Sequence, residues 1–99
     1  MLRFQDTHDL IKEAEKECIR KGMPFVECLE FDNGSTFRGY LDEKKVRDGC
    51  GEQTWPDGAK YTGTWAGNKA NGFGQFLHAD GDTYTGDWKD DRATGQGTY

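Results

Sequence analysis

The chain has 99 residues, 33% hydrophobic, 31% charged and 13% aromatic, with 14 glycines. This is one small domain or a fragment of a longer one, and the aromatic content argues against disorder over the whole length. The formal charge is −5 with no lysine- or arginine-rich block, which disfavours nucleic-acid binding and bulk attraction to anionic lipid.

In chain order, Met1-Leu2-Arg3-Phe4-Gln5-Asp6 does not read as a signal peptide, and acidic residues follow too soon for a transit peptide. No apolar run approaches the roughly 18–20 residues of a membrane span. Residues 7–21 read as a helix, capped by Thr7 or Asp9 and ended by Gly22 and Pro24. Leu10, Ile11, Ala14, Cys18 and Ile19 form a narrow apolar stripe at helical spacing, and Glu17 with Lys21 makes an i,i+4 pair. So short a helix is marginal alone in water, so something must bury the stripe. Two readings stand. The helix folds back as a cap over an aromatic strip or the first strand edge, or it docks on another protein through Leu10, Ile11, Ala14 and Cys18. A membrane-surface helix is disfavoured because its polar faces are not basic. Residues 1–24 thus form a helix-and-linker segment, and 25–99 a separate β region.

Phe25-Val26-Glu27-Cys28-Leu29-Glu30-Phe31 alternates as a strand with Phe25, Glu27, Leu29 and Phe31 on one face. It runs into an Asp32-Asn33-Gly34 turn and pairs naturally with residues 35–41. From there the sequence repeats. Phe37-Arg38-Gly39-Tyr40-Leu41 is a weak copy of Tyr61-Thr62-Gly63-Thr64-Trp65, which recurs as Tyr84-Thr85-Gly86-Asp87-Trp88; the central glycines are 24 and 23 residues apart. A Gly-x-Gly element follows each copy at Gly49-Gly51, Gly72-Gly74 and Gly95-Gly97, stepping by 23 and 23. A third element is a turn at Asn33-Gly34, Asp57-Gly58 and Asp80-Gly81, of the kind that joins hairpin strands. In Tyr-x-Gly-x-Trp, period-2 alternation puts both aromatics and the glycine on one face. Phe76 and Tyr99 stand two residues beyond Gly74 and Gly97, where the first copy has Gln53. The connections inside the two good copies read as Ala66–Asn71 and Lys89–Thr94. One copy cannot bury its aromatic face alone, so the copies must stack.

These residues resemble the membrane occupation and recognition nexus (MORN) repeat. Residues 61–83 and 84–99 match its pattern tightly and about 25–60 loosely, with Phe37 for Tyr and Leu41 for Trp. The resemblance implies a mainly β fold, an elongated single-layer antiparallel ribbon of stacked hairpins with one N-terminal helix. The degenerate first copy suits a capping repeat. The third copy stops at Tyr99, which leaves a strand edge for further repeats or a partner.

No chemistry-bearing motif stands out, and a non-enzyme without cofactor or metal is expected. Gly72-Phe73-Gly74 lacks the remainder of a phosphate or dinucleotide motif. Asp80, Asp82 and Asp91 have calcium-loop spacing, but Tyr84 and Thr85 occupy the places of an oxygen ligand and the glycine. Three widely spaced cysteines, Cys18, Cys28 and Cys50, read as free thiols of a reducing cytoplasm, and His78 as a packing residue. The aromatic strip of Tyr61, Trp65, Phe76, Tyr84, Trp88 and Tyr99 is both the expected core and the candidate partner-binding surface. The resemblance implies a protein–protein interaction scaffold in a cytoskeletal or ciliary and axonemal assembly. A phospholipid-binding or membrane-tethering module and a regulatory arm of a larger enzyme are the alternatives.

Overall fold

The computed structural model describes residues 7–98, and for Thr7, His8 and residues 96–98 the backbone only. Helix α1 spans Thr7–Arg20, followed by strands β1 (Phe25–Glu30), β2 (Thr36–Leu41), β3 (Arg47–Thr54), β4 (Lys60–Ala66), β5 (Lys69–Leu77), β6 (Thr83–Lys89) and β7 (Arg92–Thr98). The strands form one open sheet in chain order, every neighbouring pair antiparallel. The result is a slab of 39 × 34 × 19 Å. Among the described residues no helix is long and apolar enough to cross a membrane.

Two kinds of turn recur along the sheet, and the β2–β3 connection is a longer one in which the Asp42 carboxylate accepts from the Lys44 and Val46 amides and Lys45 takes a φ of 67°. In the first, Gly34, Gly58 and Gly81 take φ of 89°, 95° and 101°, a region that glycine enters without steric cost. The side-chain oxygen of Asn33, Asp57 or Asp80 then accepts a hydrogen bond from the backbone two residues on, at Ser35, Ala59 or Asp82. The second kind is tighter than the sequence suggests. Gly67-Asn68 and Asp90-Asp91 are two-residue connections with positive φ at both places (59° and 72°, 49° and 71°), the twist that suits a right-handed hairpin. Pairing therefore runs further than expected from Ala66–Asn71 and Lys89–Thr94, since Ala66 already pairs with Lys69 and Lys89 with Arg92.

Two expectations are corrected. The regular alternation of Phe25, Glu27, Leu29 and Phe31 is broken by an irregularity between Val26 and Leu29, where β1 gains a residue on β2. Phe25 consequently packs edge-on against Tyr40, with ring centroids 5.1 Å apart, while Val26, Leu29 and Phe31 lie against the opposite, aromatic face. The helix covers neither the aromatic strip nor the first strand edge. It lies across the other face, where Cys18 and Ala14 meet Tyr40, Cys50 and Met23 and the Tyr40 hydroxyl bonds Glu15 at 3.1 Å. Small residues decide this seat: Gly49 leaves room for the Cys18 thiol, which any Cβ there would overlap. All three cysteines are free thiols, Cys18 and Cys50 buried and Cys28 exposed.

Candidate functional site: an aromatic groove

The face left uncovered by α1 is organised by a lane of glycines. Gly39, Gly51, Gly63, Gly74, Gly86 and Gly97 are cross-strand partners in succession over six strands. Rings lie in this lane. A Cβ on Gly51 would overlap the Phe37 ring, and one on Gly74 the Tyr61 ring. The Tyr61 hydroxyl sits 3.1 and 3.2 Å from the carbonyls of Thr64 and Phe73, and Tyr84 repeats the first contact on Asp87 at 3.2 Å. Two indole N–H groups donate across the sheet, Trp65 to the Gly51 carbonyl at 3.1 Å and Trp88 to the Gly74 carbonyl at 3.3 Å.

The rings then meet edge to face in a continuous chain. Trp65 touches Phe37 and Tyr61, each at 5.3 Å between centroids. Trp88 touches Tyr61 at 5.0 Å and Tyr84 at 5.6 Å. Above this chain opens a groove of about 600 Å³, walled by Trp55, Phe76 and Trp88 and floored by Tyr61, Trp65 and Tyr84.

The strip residues divide between core and surface. Tyr61, Trp65 and Tyr84 are core, with 1%, 4% and 2% of their surface exposed. Phe76 and Trp88 are half-buried and present ring surface to the groove. Tyr99 lies outside the described residues. On α1, Cys18 and Ala14 face the sheet, Leu10 is half-buried, and Ile11 borders a shallow hollow with Phe25 and Arg38. The helix residues and the strip are therefore on opposite faces and form no common site. His78 packs edge-on against Phe76 at 4.6 Å.

Sequence reasoning missed a polar end to the groove. The Arg47 guanidinium lies over Trp65 (4.6 Å), Phe31 (4.9 Å) and Phe37 (6.0 Å). Its Nε donates to Asn68 Oδ1 at 2.8 Å, Nη1 to Gln53 Oε1 at 2.9 Å and Nη2 to the Asn68 carbonyl at 3.0 Å. Buried Gln53 passes a hydrogen bond on to buried Ser35 at 2.8 Å. Burial lowers the Arg47 pKa from its ordinary value, with Asp91 acting in the opposite direction. The signal for this cluster was the repeat itself, since Arg47 stands one period before Ala70 and two before Ala93.

Among the described residues no group of three or more His, Cys, Asp or Glu is placed to hold a metal ion, and no buried side-chain nitrogen or oxygen lacks a hydrogen-bond partner. The core rings turn their polar atoms inward. What the groove offers a ligand is mainly ring surface, with the Arg47 cation and the Asp91 carboxylate in its lining.

A family model, the MORN repeat, matches three consecutive segments, residues 43–60, 61–83 and 84–99, together more than half of the chain. No curated protein matches the sequence closely enough to supply a relative.

Proposed function

This chain belongs to the MORN repeat family, whose repeats are binding modules for proteins or membranes, and on that premise we propose that it is a non-catalytic protein–protein interaction scaffold. The partner's segment lies in the aromatic groove. One observation carries this reading: α1 covers one face of the sheet, while the other presents a concave apolar surface bounded by half-buried Phe76 and Trp88. Concave, mostly apolar and pre-formed surfaces of this size are where ligands bind, and a rigid repeat sheet loses little conformational entropy on binding. The acidic balance of the chain supports a protein partner over an anionic membrane. We place the scaffold in the cytoplasm, in a cytoskeletal assembly of the ciliary or axonemal kind, on the strength of the family resemblance.

Detergent fractionation of cells expressing the tagged protein tests the reading. Retention in the detergent-resistant cytoskeleton is expected, with cross-links that place a partner peptide on groove residues. Retention should fall when Trp88 is replaced by Ala. Release with the membrane fraction, unaffected by Trp88→Ala, would overturn it in favour of lipid tethering.

A further inference from the structure

We propose that Arg47 is the specificity determinant of the groove, and that the groove's occupant is an apolar segment of a partner protein bearing a carboxylate that pairs with the Arg47 guanidinium. This rests on the groove being a protein-binding surface and adds the chemistry of what it selects.

The first support is positional. In the middle repeat Trp65 pairs with Ala70 across the hairpin, and in the last Trp88 pairs with Ala93. In the first repeat the corresponding pair is Leu41 and Arg47. The smaller side chain on β2 makes room for a larger one on β3, and that larger one is charged. One of its partners is peculiar to this place as well. Gln53 takes the position that Phe76 holds one period later, and it turns its carbonyl oxygen to Nη1.

The second support is an incomplete set of partners. A guanidinium has five N–H donors in a fixed plane. Three are directed at the neutral oxygens of Asn68 and Gln53, which leaves one N–H on each terminal nitrogen. Among the described residues no ion pair joins Arg47 to a carboxylate. Besides the tyrosines Tyr61 and Tyr84, the titratable residues lining the groove with Arg47 are Asp91 and His78. Asp91 directs Oδ1 to the Ala70 amide at 2.8 Å and reaches Arg47 only as a more distant charge. A half-buried cation flanked by rings and neutral amides is partly desolvated without a counter-ion, the costly half of a buried pair. An incoming carboxylate supplies the other half, through charge-assisted and geometrically selective hydrogen bonds.

The third support fixes the rest of the occupant. The groove beyond Arg47 is walled by Trp55, Phe76 and Trp88, and the Trp88 indole N–H is already engaged by the Gly74 carbonyl. Ring faces of this kind select apolar side chains by burial.

Selection of random peptides displayed on phage against the full chain, followed by titration of the selected sequences as synthetic peptides, tests the proposal. The selected sequences are expected to carry Asp or Glu within an apolar run. Each should bind about tenfold or more tightly than its Glu→Gln or Asp→Asn counterpart, and binding should fall with Trp88→Ala. Against Arg47→Met, checked by its melting curve, the acidic and amide peptides should bind alike; the comparison of the two peptides on the unaltered chain stands whether or not that variant folds. Groove-binding peptides without acid preference would overturn this inference and leave the scaffold reading intact. Failure to select any peptide, or selection only of peptides indifferent to Trp88→Ala, would remove both. Binding instead to vesicles of phosphatidylcholine and phosphatidylserine, lost with Arg47→Met, would reassign the cation to a lipid headgroup.

Discussion

Phe37, Gly39 and Leu41 on β2 occupy the places that Tyr61, Gly63 and Trp65 take on β4, and Arg47 and Gln53 on β3 those of Ala70 and Phe76 on β5. Their strand pairing agrees: both units pair glycine with glycine at the centre of the hairpin and shift register just beyond it. Their inner faces do not. The middle repeat is a closed aromatic unit with its hydroxyl and indole N–H bonded inward. The first has no hydroxyl on its ring, leucine where the middle repeat has its Trp65 indole, and a guanidinium and an amide in their neighbourhood. The difference separates two kinds of position in the fold. The glycine lane and the turns determine whether a repeat forms, because any Cβ at Gly51 or Gly74 would overlap the ring lying over it. The large–small pair beside the lane is free to change if the combined volume is kept, and that is where a repeat acquires its own chemistry.

The largest expected effect lies in the middle repeat. Trp65 is buried and in contact with both Phe37 and Tyr61. Trp65→Ala should lower stability by about 3–5 kcal/mol, measured by urea denaturation. Leu41→Ala, at the matching position of the first repeat, should cost less, because it removes fewer atoms and no bonded indole. Equal costs at the two positions would break the comparison and make the first repeat as much a part of the core as the second.

A pair of changes tests whether the difference is truly compensatory. Leu41→Trp alone inserts an indole beside Arg47 and should destabilise by about 1–3 kcal/mol through overpacking. Adding Arg47→Ala recreates the Trp–Ala pair of the other repeats and should recover most of that loss, a coupling readable in a double-mutant cycle of melting curves. Additive effects would mean that Leu41 and Arg47 do not share one space. The double variant is also expected to keep the fold while losing any preference for acidic peptides.

The fold was legible because its determinants are periodic. The Asn-Gly and Asp-Gly turns, the Tyr-x-Gly-x-Trp strands and the Gly-x-Gly elements recur in register, and each encodes a local geometry. The helix was legible from its apolar stripe and its Gly22–Pro24 stop. Its seat was not, since Ala14 and Cys18 are matched by Tyr40, Cys50 and the empty space at Gly49, residues that belong to the face the repeat pattern says least about. The irregularity in β1 was invisible because an inserted residue alters register without altering composition. Arg47 was passed over for a different reason. In a chain that is 31% charged one arginine reads as solvated surface, and only laying the three repeats over one another places it at an alanine position between aromatic rings.

The smallest effect concerns the hydroxyl that the first repeat does without. Tyr61→Phe makes the middle repeat resemble the first at this point, removing the contacts to the Thr64 and Phe73 carbonyls. Near neutral pH it should cost about 0.5–1.5 kcal/mol, and in alkali its sign should change. Burial raises the Tyr61 pKa above its ordinary value of about 10. The folded chain therefore keeps this proton where the unfolded chain has lost it. Its contribution is fully present below pH 10 and declines as pH rises beyond. Tyr40, pushed up to about 12 by burial and then by its bond to Glu15, and Cys50, pushed up to about 12 by burial and then by Cys18, act in the same direction. Stability of the unaltered protein should thus fall between about pH 9 and 12, and the fall should be shallower in Tyr61→Phe, so that the two stability curves approach and then cross. Parallel curves would mean that the Tyr61 hydroxyl is solvated in the folded state, and that the two repeats differ less in their buried faces than the packing of their rings implies.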